Sequence, residues 1–173
     1  MGGTFDERLH EKLVDLLAAS DFVEDYRTLC KSYEQERDID GPRLDMARTV
    51  ELFRNSGALV AWNKKFKVVQ FDREEVAGWQ WEGSLVIQRY DMLELMLKGI
   101  DADGKRSVGS TWLDLASEAG VRRIPPVPPT DFLPPVVLAN RPQFDGDMAT
   151  MERMVPDIIA LFRKMKGVVR AGW

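Results

Sequence analysis

Residues 58–90 read ALVAWNKKFKVVQFDREEVAGWQWEGSLVIQRY, and the periodicity of this stretch decides the fold class. Ala58 to Trp62 and Phe66 to Phe71 are short runs, apolar or alternating, joined by the polar Asn63-Lys64-Lys65. In a strand successive side chains point to opposite faces, so runs of this length and period predict one β-hairpin. Val76 to Glu82 and Leu85 to Tyr90 flank Gly83-Ser84. A glycine-first pair suits a type II′ turn, so a second hairpin is expected there. The stretch as a whole predicts a four-stranded antiparallel β-meander.

On its N-terminal side the periodicity is helical. Leu9, Leu13, Leu16 and Leu17 recur at helical intervals behind Thr4 and Glu7, which have capping-box spacing, and predict a helix over about 6–19. Asp21 and Glu24 open a second helix, with Phe22, Tyr26, Leu29 and Tyr33 on one stripe before the charged run Glu34 to Asp38. Pro42 suits the first turn of a third, in which Met46, Val50 and Phe53 share a face and Gly57 marks the exit.

On the C-terminal side Asp91 and Glu94 again have capping spacing ahead of Leu93, Leu95, Met96 and Leu97, with Gly99 as a stop, and predict a short helix. Ser110-Thr111 leads into another, carried by Trp112, Leu113, Ala116 and Ala119. Seven of the nine prolines fall within 125–142, where neither helix nor interior strand persists. Met151, Val155, Ile158, Phe162 and Met165 then trace a last helical stripe, interrupted by Pro156. The reading is therefore α+β in a single domain over 1–173: a helical N-terminal third (1–57), the meander (58–90), short helices (91–124), a proline-rich strap (125–146) and a C-terminal helical segment (147–166).

Composition narrows the function classes. With 45% hydrophobic and 30% charged residues the chain has the balance of a folded globular domain. A lone cysteine, Cys30, rules out an internal disulfide and a cysteine-rich zinc site, and a lone histidine rules out a histidine-rich metal centre. No apolar run reaches the roughly 18–20 residues of a membrane helix and no signal-peptide layout is seen, so the expectation is a cytoplasmic protein with no membrane partner. The net charge of −4 is concentrated in residues 1–57, which hold 8 basic and 13 acidic side chains. Such a field repels phosphate backbones and favours a basic protein partner over nucleic acid.

His10, the single candidate for a histidine base, is placed on the surface side of an acidic amphipathic helix. Asp101-Ala102-Asp103-Gly104 is similar to the middle of a calcium loop, but Ser110 stands where the closing glutamate belongs, leaving Asp101 and Asp103 as weak metal candidates beside a plain polar turn. Residues 111–121 resemble the first helix and turn of a helix-turn-helix DNA reader. The resemblance stops at Arg122-Arg123-Ile124-Pro125-Pro126, which cannot continue as a recognition helix. Trp79 and Trp81 alternate on one face of a strand, with Gln80 and Glu82 on the other: a half-buried sheet uses such tryptophans as core, an open one displays them as a contact centre. No phosphate-cradling glycine loop and no serine elbow is present, and no cofactor is implied.

The function expected from these features is a non-enzymatic protein-binding module, of the bacterial immunity or antitoxin type or an adaptor, with Trp79, Trp81 and Glu82 as candidate contact residues. The competing readings are a small carboxylate-metal hydrolase or nuclease using Asp101 and Asp103, and a DNA-binding protein using Arg122 and Arg123. Cys30 lies beside the apolar stripe of its helix with no histidine near it in sequence, so it is expected to be structural and reduced. A thiol reagent added to native protein should modify it slowly, and rapid labelling accompanied by loss of a measured activity would contradict that role.

Overall fold

A computed structural model describes residues 2–33, 44–88, 93–127 and 148–173. In chain order the elements are β1 (Thr4–Phe5), α1 (Glu7–Ala18), α2 (Phe22–Ser32), α3 (Met46–Asn55), β2 (Leu59–Asn63), β3 (Val68–Val76), β4 (Trp79–Ile87), β5 (Leu93–Asp101), β6 (Arg106–Thr111), α4 (Trp112–Val121) and α5 (Met148–Gly172). The strands form one mixed sheet in the order β1-β6-β5-β4-β3-β2, antiparallel except for β1, which lies parallel to β6. The α+β class stands, but the sheet has six strands rather than four among the described residues.

Each helix start has a local cause. Asp6 caps α1 by accepting from the Leu9 amide at 3.0 Å, Asp45 caps α3 through the Arg48 amide at 3.1 Å, and Thr111 caps α4 through the Asp114 amide at 3.0 Å. The capping residue of α1 is thus Asp6, and Thr4 belongs to β1. The last helix runs through Pro156 and on to Gly172, beyond the segment ending at 166 that the apolar stripe predicts. The charged run Glu34 to Asp38, Pro42 and residues 128–146 of the proline-rich strap lie outside the described residues.

Two expectations about the sheet are corrected. From Leu93 onward the predicted helix is instead β5, in which Leu93, Leu95 and Leu97 are buried and the residues between them only partly so, while Asp91 lies outside the described residues. The leucines repeat every second residue, and the ladder offered by β4 and β6 outweighs the capping signal at Asp91 and Glu94. Gly83-Ser84 is no turn either: β4 runs straight through it, and the hairpin turn falls at Ala77-Gly78, both with positive φ. Gly83 and Gly99 are glycines because aromatic rings occupy their side-chain space. A Cβ on Gly83 would lie 2.5 Å from the ring of its register partner Phe71, and one on Gly99 would lie 2.8 Å from the ring of its register partner Trp81.

Those rings carry the helical layer. Phe71 meets Phe53 at 5.1 Å and Phe162 at 5.3 Å between ring centroids, while Phe162 stacks on Trp112 at 6.3 Å. Trp173 closes edge-on over Trp81 and Trp79 at 4.9 and 5.4 Å. A bulge between Phe71 and Glu74 breaks the register of β3 with β4 and puts Asp72 at a positive φ of 53°. The buried Lys166 of α5 pairs there with Asp72 and Glu74, both at 2.7 Å, and Arg170 reaches Glu74 at 2.6 Å. Hydrogen bonds from Lys166 and then Arg170 hold the Glu74 carboxyl below its ordinary range. Tyr33 fixes the end of α2 to α5 by donating to Asp157 at 2.5 Å. Burial and that carboxylate push its hydroxyl up to about 12.

Filling the space under either ring should be costly. Gly83→Ala and Gly99→Ala are each expected to lower unfolding free energy by about 1–3 kcal/mol through overpacking, measured by chemical denaturation. A strand glycine with open space above it would give the opposite result, because alanine is favoured over glycine there.

Candidate functional site

Among the described residues the helices pack on one face of the sheet and none packs on the other. Phe71, Trp81, Leu85, Leu95, Leu97 and Val108 are buried on the side that packs the helices. On the opposite side, the described residues of β3 to β6 include Val68, Gln70, Gln80, Ser84, Val86, Met96, Lys98 and Ile100, all of which keep contact with solvent. Glu82 is the exception. It is 8% exposed, yet its carboxylate is neutralised on its own face: Arg73 donates from Nε at 2.8 Å and approaches with Nη2 at 2.7 Å, and Gln70 donates to the other oxygen at 3.0 Å. Lys98 stands directly across the ladder from it. A buried carboxylate with a two-pronged arginine and an amide donor is a well-satisfied group that fixes the side chains around it.

Trp79 and Trp81 do share a face, with Gln80 and Glu82 on the other, as strand alternation requires. Of the two uses open to the pair, the burial bears out core and not display. Trp81 is fully buried and Trp79 is 7% exposed, because α5 ends over them and Trp173 covers both rings. Arg106 lies over the Trp79 ring at 5.3 Å and Lys12 over the Trp173 ring at 5.2 Å.

Asp101 and Asp103 belong to the β5–β6 hairpin. Asp101 accepts from the Lys105 amide at 2.7 Å, the Arg106 amide at 3.0 Å and the Arg106 guanidinium at 3.0 Å, so its lone pairs are committed to the turn. The Arg106 amide is the leading cause that holds its carboxyl below the usual range. Asp103 faces solvent and pairs with Lys105 at 3.7 Å. Among the described residues no group of three or more His, Cys, Asp and Glu side chains is arranged to hold a metal ion. Arg122 is likewise committed, to Glu11 and to Asp15 at 2.7 Å on α1.

The sequence reading misplaced one chemically distinctive residue. His10 is buried, 7% exposed, with its ring 5.0 Å from that of Phe5 and its Nε2 3.0 Å from Glu118. The helix α4 packs alongside α1 and covers the face that periodicity assigned to solvent. A histidine–carboxylate pair can orient a general base, but the nearby serine is engaged elsewhere: the Ser110 hydroxyl donates to Asp114 at 3.1 Å. Among the described residues Ser110 thus forms no nucleophile–base pair with His10.

No family model, no curated protein and no solved structure matches this chain. No described helix is long and apolar enough to cross a membrane.

The core placement of Trp81 has a direct measurement. Trp81→Ala should cost roughly 3–5 kcal/mol of stability, and acrylamide should quench a variant retaining Trp81 as its single tryptophan only weakly. Strong quenching with an unchanged unfolding midpoint would contradict it.

Proposed function

We propose that this chain is a non-enzymatic protein-binding module, an inhibitor or adaptor of the kind bacterial immunity proteins and antitoxins exemplify, and that it engages its partner with the open face of the sheet. The observation that carries this reading is the asymmetry of the sheet. Described helices pack on one face, whereas the other sets the partly exposed Val68, Val86, Met96 and Ile100 among polar side chains around the fixed Glu82. An apolar centre with a polar rim, on a rigid backbone, is the composition of a specific protein interface. The contact centre therefore moves from the tryptophans to the aliphatic and methionine side chains on the opposite face, with the buried Glu82 holding Arg73 and Gln70 in place beneath it rather than making contact itself. The acidic excess of residues 1–57 favours a basic partner by long-range steering.

The reading is tested by co-expression with the products of adjacent genes and size-exclusion chromatography of the purified pair. A stable complex is expected, and Met96→Lys or Ile100→Lys should abolish it while the unfolding free energy stays within about 0.5 kcal/mol. A complex indifferent to both substitutions would remove the sheet face from the interface. Substrate turnover by the isolated chain would end the non-enzymatic reading.

A further inference from the structure

β2 is the outermost strand of the sheet at the end opposite β1, and no described strand lies beyond it. Its residues, Leu59 to Asn63, include no charge and no proline. An edge strand turns alternate amides and carbonyls away from the sheet, and an edge with no use is guarded by charged side chains, proline, bulges or a covering element. Among the described residues the guard on β2 is a single irregularity between Leu59 and Ala61, where Val60 is 37% exposed. No described backbone hydrogen bond of Leu59–Asn63 reaches anything but β3.

The end of this strand carries uncompensated charge. From Ser56 to Phe71 the sequence has three lysines and no acidic residue, in a chain whose net charge is −4. Lys64, Lys65 and Lys67 all lie exposed in the turn that joins β2 to β3, and no described carboxylate pairs with any of them. Between them Phe66 is 64% exposed, with Nζ of Lys65 5.3 Å from its ring centroid. The turn is held in place: the Phe66 amide donates to the Asn63 side chain at 3.2 Å, and the Ile87 amide donates to the Lys67 carbonyl at 3.0 Å. A turn fixed in this way presents its charges with little further ordering on binding.

We propose that the β2 edge takes up an extended acidic segment of another protein as an additional strand, with carboxylates of that segment on Lys64, Lys65 and Lys67 and an apolar side chain beside them against Phe66. Main-chain pairing supplies affinity and the lysines select the sign of charge. The free edge and the unpaired lysines are separate observations, and together they choose the partner. A lipid surface or a nucleic acid would answer the lysines and leave the edge unpaired, while a second copy of this chain would bring a β2 that carries no carboxylate. The edge reads one local segment rather than a partner's overall charge. It is also distinct from the open face, so either surface can bind with the other disabled.

The test titrates the full chain with two blocked peptides, one with three glutamates ahead of three Val-Thr pairs and one with the glutamates behind them. Because the lysines follow β2, the first suits antiparallel addition and the second parallel addition. Amide NMR should show a saturable shift centred on Leu59–Asn63, with slowed hydrogen exchange there, for one of the two. The same peptide with lysines in place of glutamates should bind at least about tenfold more weakly, as should the acidic peptide to a Lys64→Gln, Lys65→Gln double variant. Val60→Lys, which puts a guarding charge on the edge, should also weaken it, and Met96→Lys on the open face should leave it unchanged. No saturable shift with either acidic peptide up to about 5 mM, equal affinity for the lysine peptide, or loss of binding in Met96→Lys would overturn the proposal. Sedimentation with phosphatidylglycerol-containing vesicles, without protection of the β2 amides by either peptide, would overturn it in favour of a lipid surface.

Discussion

The architecture depends on two rings lying flat against backbone. Phe71 occupies the side-chain space of Gly83 on the next strand, and Trp81 does the same to Gly99 one strand further on. Each large ring thereby stays low on the sheet, and the helical layer approaches without a void. Phe53 and Phe162 settle on the first ring and Trp173 on the second, so α3 and the middle and C-terminal end of α5 take their positions from this step pattern across three strands. Ion pairing then secures what packing has located. The bulge at Asp72 presents a carboxylate under α5, and Lys166 is buried against it because Glu74 shares the neutralisation.

Much of this was legible from the chain alone, and the misreadings have physical causes. Helices α1 to α4 announced themselves through apolar stripes and polar starts, which are local signals. The second hairpin was misplaced because a glycine inside a strand and a glycine in a turn look alike in sequence. The partner that explains Gly83 is a ring twelve residues away in the chain. β5 was misread because Leu93, Leu95, Met96 and Leu97 fit both periods, and only the neighbouring strands decide between them. β1 is too short to carry a periodic signal, and its partner lies about a hundred residues on.

The functional residues divide the same way. Alternation along β4 correctly put Trp79 and Trp81 on one face and Glu82 on the other, but not which face the helices would cover. Towards its C-terminal end α5 carries the basic cluster Arg163, Lys164, Lys166 and Arg170. In the structure these residues pair with Asp72, Asp25 and Glu74, which belong to distant elements. His10 offered no sequence clue, because its burial and its contact with Glu118 arise from helices separated by the whole meander.

The pairing of β1 with β6 also sets an order of assembly. Strands β2 to β6 join neighbours along the chain, so their hairpins close over short loops, whereas β1 waits for a partner synthesised about a hundred residues later. During synthesis α1, α2 and α3 emerge with apolar stripes and no sheet to receive them. Full burial of those stripes needs α4, the meander and α5, all of which are synthesised later. The acidic excess of residues 1–57 then acts before any partner is met, since like charges on waiting segments oppose their association with one another on neighbouring nascent chains.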